Sequence, residues 1–169
     1  MQIKNSTLQD IDTIFDLYTA AIEHQKKVFN KHWLPFDRRM VEKEILENRQ
    51  WKIIINDEVA CIFAITHNDP MIWKEKDKDP SVYIHRIVTN PSFRGQYFVK
   101  DIIAWARIFC RENGKEFIRM DTWGDNQKLI DYYTQCGFKF LGITQMGITE
   151  DLPKHYQNAS LSLFEISII

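Results

Sequence analysis

The chain has little of what would remove it from the ordinary globular proteins. Its 169 residues hold three cysteines, Cys61, Cys110 and Cys136, with no C-x-x-C pair. An odd count in apolar surroundings argues against a disulfide scaffold and reads as buried small hydrophobes rather than nucleophiles. No apolar stretch approaches the ~18–20 residues of a membrane span. Met1-Gln2-Ile3-Lys4-Asn5 lacks the apolar run of a signal peptide. The expectation is a cytoplasmic protein with no membrane partner. Excess charge is also missing. The 22 basic and 23 acidic residues leave a net charge of −1 with no Lys/Arg run, which argues against nucleic acid as a partner. There is no internal repeat or low-complexity block. His24, His32 and Glu23 do not form a metal-ligand spacing, so no metal is expected.

What remains is ordinary in bulk. Hydrophobic residues are 44% and charged residues 27% of the chain, as in soluble globular domains. A chain of this length buries a sizeable core without staples, and one domain over residues 1–169 is expected. Aromatic residues reach 13% and include five tryptophans. Phe29, Trp33, Phe36, Trp73 and Tyr156 either wall a groove or pack in the core.

Periodicity gives the element order. Gln2-Ile3-Lys4 reads as a short edge strand. Thr7-Leu8-Gln9-Asp10 is close to a capping box, with Asp in place of Glu. Leu8, Ile11, Ile14, Phe15, Tyr18, Ala21 and Ile22 then recur at helical spacing. Gln25 to Phe36 reads as loop or partial helix. Asp37 is a plausible N-cap for a helix carrying Met40, Val41, Ile45 and Leu46. Trp51–Ile55 and Val59–Thr66 form a hairpin around Asn56-Asp57-Glu58. Asn68 to Pro80, with its charge run from Lys74 to Asp79, reads as a solvated loop. A strand over Val82–Thr89 follows, then a helix from about Gln96 to Glu112, stopped by Asn113-Gly114. Phe117–Thr122 is a strand and Asn126–Gln135 a helix closed by Gly137. Phe138–Thr144 and Leu161–Ile168 are the last strands, separated by the polar stretch Glu150–Ala159 with Pro153. This order predicts an α/β fold: a mixed, mostly antiparallel sheet of about seven strands with a central parallel pair, flanked by about four helices.

Asn90-Pro91-Ser92-Phe93-Arg94-Gly95-Gln96 leaves the carboxyl end of a strand and opens a helix. Unpaired N–H groups and the helix dipole make such a turn an anion site, held by backbone rather than by a lysine cluster. Open α/β sheets bind ligands at this end of their strands. Read as helical, Tyr97 needs no positive φ.

Two motifs carry a family resemblance. The Asn90–Gln96 segment resembles the V-x-P-x-x-R-G-x-G loop of the GCN5-related N-acetyltransferase superfamily, which holds the acetyl-CoA pyrophosphate. Asp125-Asn126 with Leu129, Tyr133 and Gly137-Phe138 resembles that family's N…(A/L)…Y-x-x-x-G-F segment. The two stand about 30 residues apart with a helix and a strand between them, and element order agrees over nearly the whole chain. The resemblance implies the acyl-CoA N-acyltransferase fold, acetyl-CoA as cosubstrate, a small-molecule or peptide amine as acceptor, and, by family habit, a homodimer. Where the family loop has glycine this chain has Tyr97, and where it has glycine or alanine this chain has Val99.

The resemblance also implies roles. Arg94 and the backbone N–H groups of Gly95, Gln96, Tyr97, Phe98 and Val99 face the phosphates. Ile87, Val88 and Thr89 pair with the pantetheine arm as a strand would, and one of their N–H groups polarises the thioester carbonyl. Asn126 caps its helix and touches the cofactor. Tyr133 protonates the departing thiolate, its O–H sitting within reach of a thiol's pKa. Asp121, 12 residues earlier, matches the offset of a functional glutamate in the ribosomal-protein N-terminal acetyltransferases. It is either the base that takes the amine's proton or a partner for Arg119 or Arg86. His85 and Glu23 are the next candidates. The activity expected is direct acetyl transfer to a primary amine without an acyl-enzyme. The alternative is an acyl-CoA-binding or regulatory module of the same fold.

Overall fold

The computed structural model of the chain describes residues 1–148, 150 and 154–168. Seven strands order as β1-β2-β3-β4-β5-β7-β6: β1 Gln2–Asn5, β2 Gln50–Ile55, β3 Glu58–Thr66, β4 Ser81–Thr89, β5 Phe117–Trp123, β6 Lys139–Gln145 and β7 Ser160–Ser167. β4 and β5 pair in parallel, whereas β1–β2, β2–β3, β5–β7 and β6–β7 are antiparallel. The described helices are α1 Ile11–Val28, α2 Arg38–Leu46, α3 Pro70–Trp73, α4 Val99–Glu112 and α5 Gln127–Gln135. This is the mixed α/β sheet expected from element order, with one short helix more. Pro153, in the polar stretch before β7, lies outside the described residues. No helix of the described residues is long and apolar enough to cross a membrane.

The chain divides into two compact units. One comprises Met1–Ile65 with Arg86–Phe98, the other Thr66–His85 with Val99–Ile169. In the first, the Asp10 carboxylate accepts from the Thr7 N–H at 2.7 Å. That satisfies one donor where the chain enters α1. α1 then buries Ile11, Ile14, Leu17, Tyr18 and Ile22, each contributing roughly 1.5–3 kcal/mol. They meet Val41, Ile45, Ile62 and Val88. Asp37 caps α2 by accepting from the Arg39 and Met40 N–H groups. The unresolved choice for Gln25–Phe36 is partly helical, since α1 continues to Val28. Trp33 and Phe36 pack against this core, which is the core alternative for those two residues. Arg86 has a φ of +50° within β4. Its guanidinium pairs with the buried Glu44 carboxylate and donates to the Tyr18 hydroxyl at 3.2 Å.

In the second unit, the stretch expected to be a solvated loop is folded. Asn68–Pro80 contains α3 and a 3-10 turn over Lys74–Lys78. Pro70 sits at the first helical position, where its missing N–H costs nothing. Ile72 and Trp73 are buried with Tyr83, Met146, Ala159 and Leu161. Two apolar residues anchor the segment, and the charge run stays on its outer side. Trp73 is therefore core rather than a groove wall. Tyr156 packs against the same cluster. α4 buries Val99, Ile102, Ile103, Ala106 and Cys110. Burial pushes the Cys110 thiol up to about 11, so it is a packing residue and not a nucleophile.

Candidate functional site

Within the first unit, Asn90–Phe98 builds the loop. Asn90 accepts from the Ser92 N–H, and its own amide donates to Val59 O, fixing the turn after β4. Pro91–Phe93 form a 3-10 turn, and α4 starts at Val99, not near Gln96. The delay has a cause: Gly95 and Tyr97 both have positive φ, +86° and +53°, which interrupts a right-handed helix. Tyr97 thus does adopt the left-handed conformation that a helical reading had made unnecessary. Its side chain is 66% exposed, while that of Val99 points into the core at 6%. Nothing lies within 4 Å of where a Cβ on Gly95 would stand. The Gln96 N–H is already used, donating to Phe93 O at 3.4 Å, so the run of open N–H groups expected from Gly95 to Val99 is interrupted there. Arg94 is exposed.

Within the second unit, a polar cluster forms where β5 leaves β4. The parallel register holds for Ser81↔Phe117, Val82↔Ile118 and Tyr83↔Arg119, and β5 runs on to Trp123. Alternation puts Tyr83 and His85 on the same face as Arg119 and Asp121. Asp121 and His85 meet there, with His85 Nδ1 3.9 Å from Asp121 Oδ1. A third group joins them that the sequence reading had placed in solvent. Asp69 Oδ2 lies 3.3 Å from His85 Nε2. Ligand atoms of all three lie within 4.8 Å of one another. The side chains are 7%, 19% and 3% exposed for Asp69, His85 and Asp121.

The cluster is under-satisfied. Asp69 Oδ2 and Asp121 Oδ1 are buried and make no hydrogen bond, a state most buried polar atoms avoid. Burial raises the Asp121 carboxyl to about 6; His85 works against that rise and Asp69 adds to it. A carboxylate near 6 is ionised at neutral pH yet basic enough to accept a proton. The alternative partners for Asp121 are taken. Arg119 bonds Glu165 and Asp79 at 2.8 and 2.7 Å, and Arg86 bonds Glu44. Asp69 was missed because Asp69-Pro70 stands before a charge run, and the whole stretch reads as a solvated loop. It holds the N-cap position of α3, yet its side chain makes no capping bond.

Asn126 caps α5, accepting from the Lys128 and Leu129 N–H groups. Tyr133, on α5, packs its ring against Phe138 and Phe164, with centroids 6.2 and 5.3 Å away. Phe164 is the register partner of Met120. Tyr133 therefore approaches β5 on the face opposite Asp121.

Residues 14–138 match the acetyltransferase (GNAT) family. The chain is 28% identical over 96 residues to the N-acetyltransferase YesJ of Bacillus subtilis. That match takes in 54% of this chain and 53% of YesJ, so the chain spans about half the length of this curated relative. Among solved structures, a GNAT-family acetyltransferase from Listeria monocytogenes superposes with a TM-score of 0.77 at 21% identity, covering 98% of this chain and 94% of that one. The yncA protein of Salmonella typhimurium, solved with its cofactor acetyl-CoA, superposes at 0.70 with 14% identity, covering 100% and 94%. With the fold reproduced along its length and the family matched over residues 14–138, the chain belongs to the GNAT acetyltransferase family.

Proposed function

We infer that this chain transfers acetyl from acetyl-CoA to a primary amine, with residues 1–169 acting as one catalytic domain. The observation that carries the reading is the Asp121–His85 pair. An amine must lose a proton to become a nucleophile, and this family member buries a carboxylate held at about 6 against an imidazole. Both readings of Asp121, base or arginine partner, were open in the sequence; the occupied arginines favour the base.

The loop fits the cofactor. The open space over Gly95 lets the backbone approach a pyrophosphate, and the outward Tyr97 and inward Val99 leave that approach clear. The first N–H groups of α4 and the Arg94 guanidinium are the donors toward phosphate oxygens. When bound, acetyl-CoA supplies an acetyl group already activated as a thioester. Ile87, Val88 and Thr89 are the strand residues assigned to its pantetheine arm, with one N–H aimed at the thioester carbonyl oxygen. Asn126 orders the start of α5 and so the helix that carries Tyr133. The resemblance assigns the leaving sulfur's proton to the Tyr133 hydroxyl, on a ring that packs on the face of β5 opposite the Asp121–His85 pair. The Asp121–His85 pair takes the proton from the acceptor nitrogen.

The test is release of free CoA thiol across polyamines, aminoglycosides, amino acids and peptide N-termini. It is paired with melting curves with and without acetyl-CoA. Acetyl-CoA at about 100 times its dissociation constant adds about 2.7 kcal/mol, a rise of roughly 5–11 °C for a domain this size. Thiol release with one amine class supports the transferase. One observation favours a second reading. Tyr97 stands at φ +53° where the family loop has glycine, which fits an acyl-CoA-binding module without turnover. A melting rise with no thiol release on any amine selects that module; no rise at millimolar acetyl-CoA rejects both.

A further inference from the structure

We propose that Asp69, His85 and Asp121 form a binding site for one divalent transition-metal ion of the zinc class, and that an ion held there switches acetyl transfer off. The site stands on the geometry of the cluster. The switch rests on the acetyltransferase reading above, because the ion occupies the Asp121–His85 pair to which that reading gives the amine's proton.

Two carboxylates and an imidazole are three protein ligands of the kind a zinc-type ion takes, with a fourth position left for water. One ligand atom from each residue lies within 4.8 Å of the others. Ligands of a single tetrahedral ion, bonded at about 2.0–2.2 Å, stand about 3.3–3.5 Å apart. Asp69 Oδ2 and His85 Nε2 already have that spacing, 3.3 Å. Asp121 Oδ1 lies 3.9 Å from Nδ1. A closing of about 1.5 Å or less completes the set on one ring nitrogen. Magnesium and calcium suit it poorly, since they take six or more ligands, nearly all oxygen.

The two orphaned oxygens point to the same occupant. Asp69 Oδ2 and Asp121 Oδ1 are buried and make no hydrogen bond, on side chains only 7% and 3% exposed. An oxygen 3.3 Å from a ring nitrogen that gives it no hydrogen bond is badly served as an acceptor, yet well placed as a neighbour around an ion. One ion engages both oxygens and a ring lone pair together, and a neutral imidazole has that one lone pair to give. Charge adds a reason. Two carboxylates beside a neutral ring bury a charge of −2, which calls for a partner. Arg119, one step from Asp121 on the same face, does not serve: it is committed to Glu165, Asp79 and Lys76 O. A divalent ion brings the sum to zero.

The ligands are also held from behind. Asp77 accepts from the Asp69 N–H and from the Tyr83 O–H, both at 2.6 Å. Tyr83 stands two residues before His85 on β4, so one carboxylate ties the Asp69 segment to the strand that carries the histidine. Support of this kind orients metal ligands. Asp69 comes from the start of α3, His85 from β4 and Asp121 from β5, so no metal-ligand spacing shows in the sequence. Ion and proton compete for the same atoms. With the ion bound, neither the ring nor the Asp121 oxygen accepts a proton from an amine.

The experiment uses the full chain, stripped with a chelator, and zinc as the probe. Calorimetric titration, with metal analysis after gel filtration, should find one zinc per chain. Zinc at about 100 times its dissociation constant should raise the melting point by roughly 5–11 °C. Asp69→Asn and His85→Gln, each first shown to melt cooperatively without zinc, should lose the stoichiometric uptake. Cys136→Ser, which removes a half-buried thiol, should keep it. Two readouts need no substitution. One equivalent of cobalt(II) should give d–d bands without a thiolate charge-transfer band, and zinc should shift the nitrogen-15 signals of the His85 ring. No uptake, uptake undiminished in Asp69→Asn and His85→Gln, or a thiolate band overturns the site. A water bridging the two oxygens gives the first of these results. The switch is read as formation of acetylated amine, because zinc also binds the free CoA thiol. Turnover should fall about 10²-fold as zinc occupancy rises, with the same midpoint, and return with chelator. Unchanged turnover in the zinc-loaded chain overturns the switch. If no amine is acetylated with or without zinc, the transferase reading and the switch fail together, and uptake alone decides the site.

Discussion

Two residues on one face of β5, Arg119 and Asp121, sit in opposite electrostatic conditions. Arg119 is 1% exposed at its side chain and saturated. It donates to Glu165, Asp79 and Lys76 O and lies over the rings of Trp73 and Phe117. Asp121, one step along the same face, keeps an oxygen with no donor. A saturated buried ion is fixed by the fold and has nothing left to give a ligand. An orphaned one is costly to the fold, and that cost marks where a proton or ligand enters. Sequence alone gives both residues the same description: a charged residue on an inward-facing strand position.

The largest effect expected is at the saturated end. Arg119→Met leaves Glu165 facing the interior without its partner and costs about 3–5 kcal/mol, read as a collapse of the urea midpoint. A near-neutral substitution would break the contrast. Next comes Tyr133→Phe, which removes one hydroxyl from a ring held by Phe138 and Phe164. Turnover should fall about 10²-fold, with little change in the acetyl-CoA melting rise. Equal turnover removes Tyr133 from the reaction.

Third is the cost of the orphan itself. The Asp121 carboxyl rises from 3.8 to about 6 on folding. Between those values the folded chain holds a proton that the unfolded chain has released. Stability is therefore fully present below about pH 4 and declines as pH rises through about 6, by ~3 kcal/mol at most. Asp121→Asn should lack this decline and be the more stable protein at pH 7, as denaturant melts at several pH values would reveal. A wild-type stability that climbs over the same interval contradicts the assignment. The smallest effect concerns the loop. Tyr97→Gly relieves a left-handed tyrosine and should stabilise by about 1 kcal/mol, a rise of a few degrees, while the response to acetyl-CoA is kept.

The loop and the cluster also differ in how far they could be read from sequence. Asn90 to Gly95 is contiguous, and its turn residues state their conformations locally, so its place after a strand was legible. So were the order of elements along the chain and the caps at Asp37 and Asn126. The φ of Tyr97 was not, because a helical pattern running through Phe98 and Val99 hides the left-handed residue that precedes it. Asp69 was illegible for another reason. Its meeting with His85 and Asp121 joins three segments distant in the chain, and locally it reads as part of a solvated loop. Ile72 and Trp73, the apolar pair that draws that stretch inward, were the one available signal.

The comparison between Arg119 and Asp121 is tested most directly by kcat/KM for CoA release in Asp121→Asn against Asp79→Asn, each with its melting curve. The orphaned residue should lose about 10²-fold in kcat/KM or more while melting at or above wild type. Asp79→Asn, which loosens the saturated network at its exposed edge, should melt lower by about 1 kcal/mol and keep its turnover. Retained activity in Asp121→Asn, or an equal loss in Asp79→Asn, would contradict the claim that the unsatisfied end of β5 is where the chemistry lies.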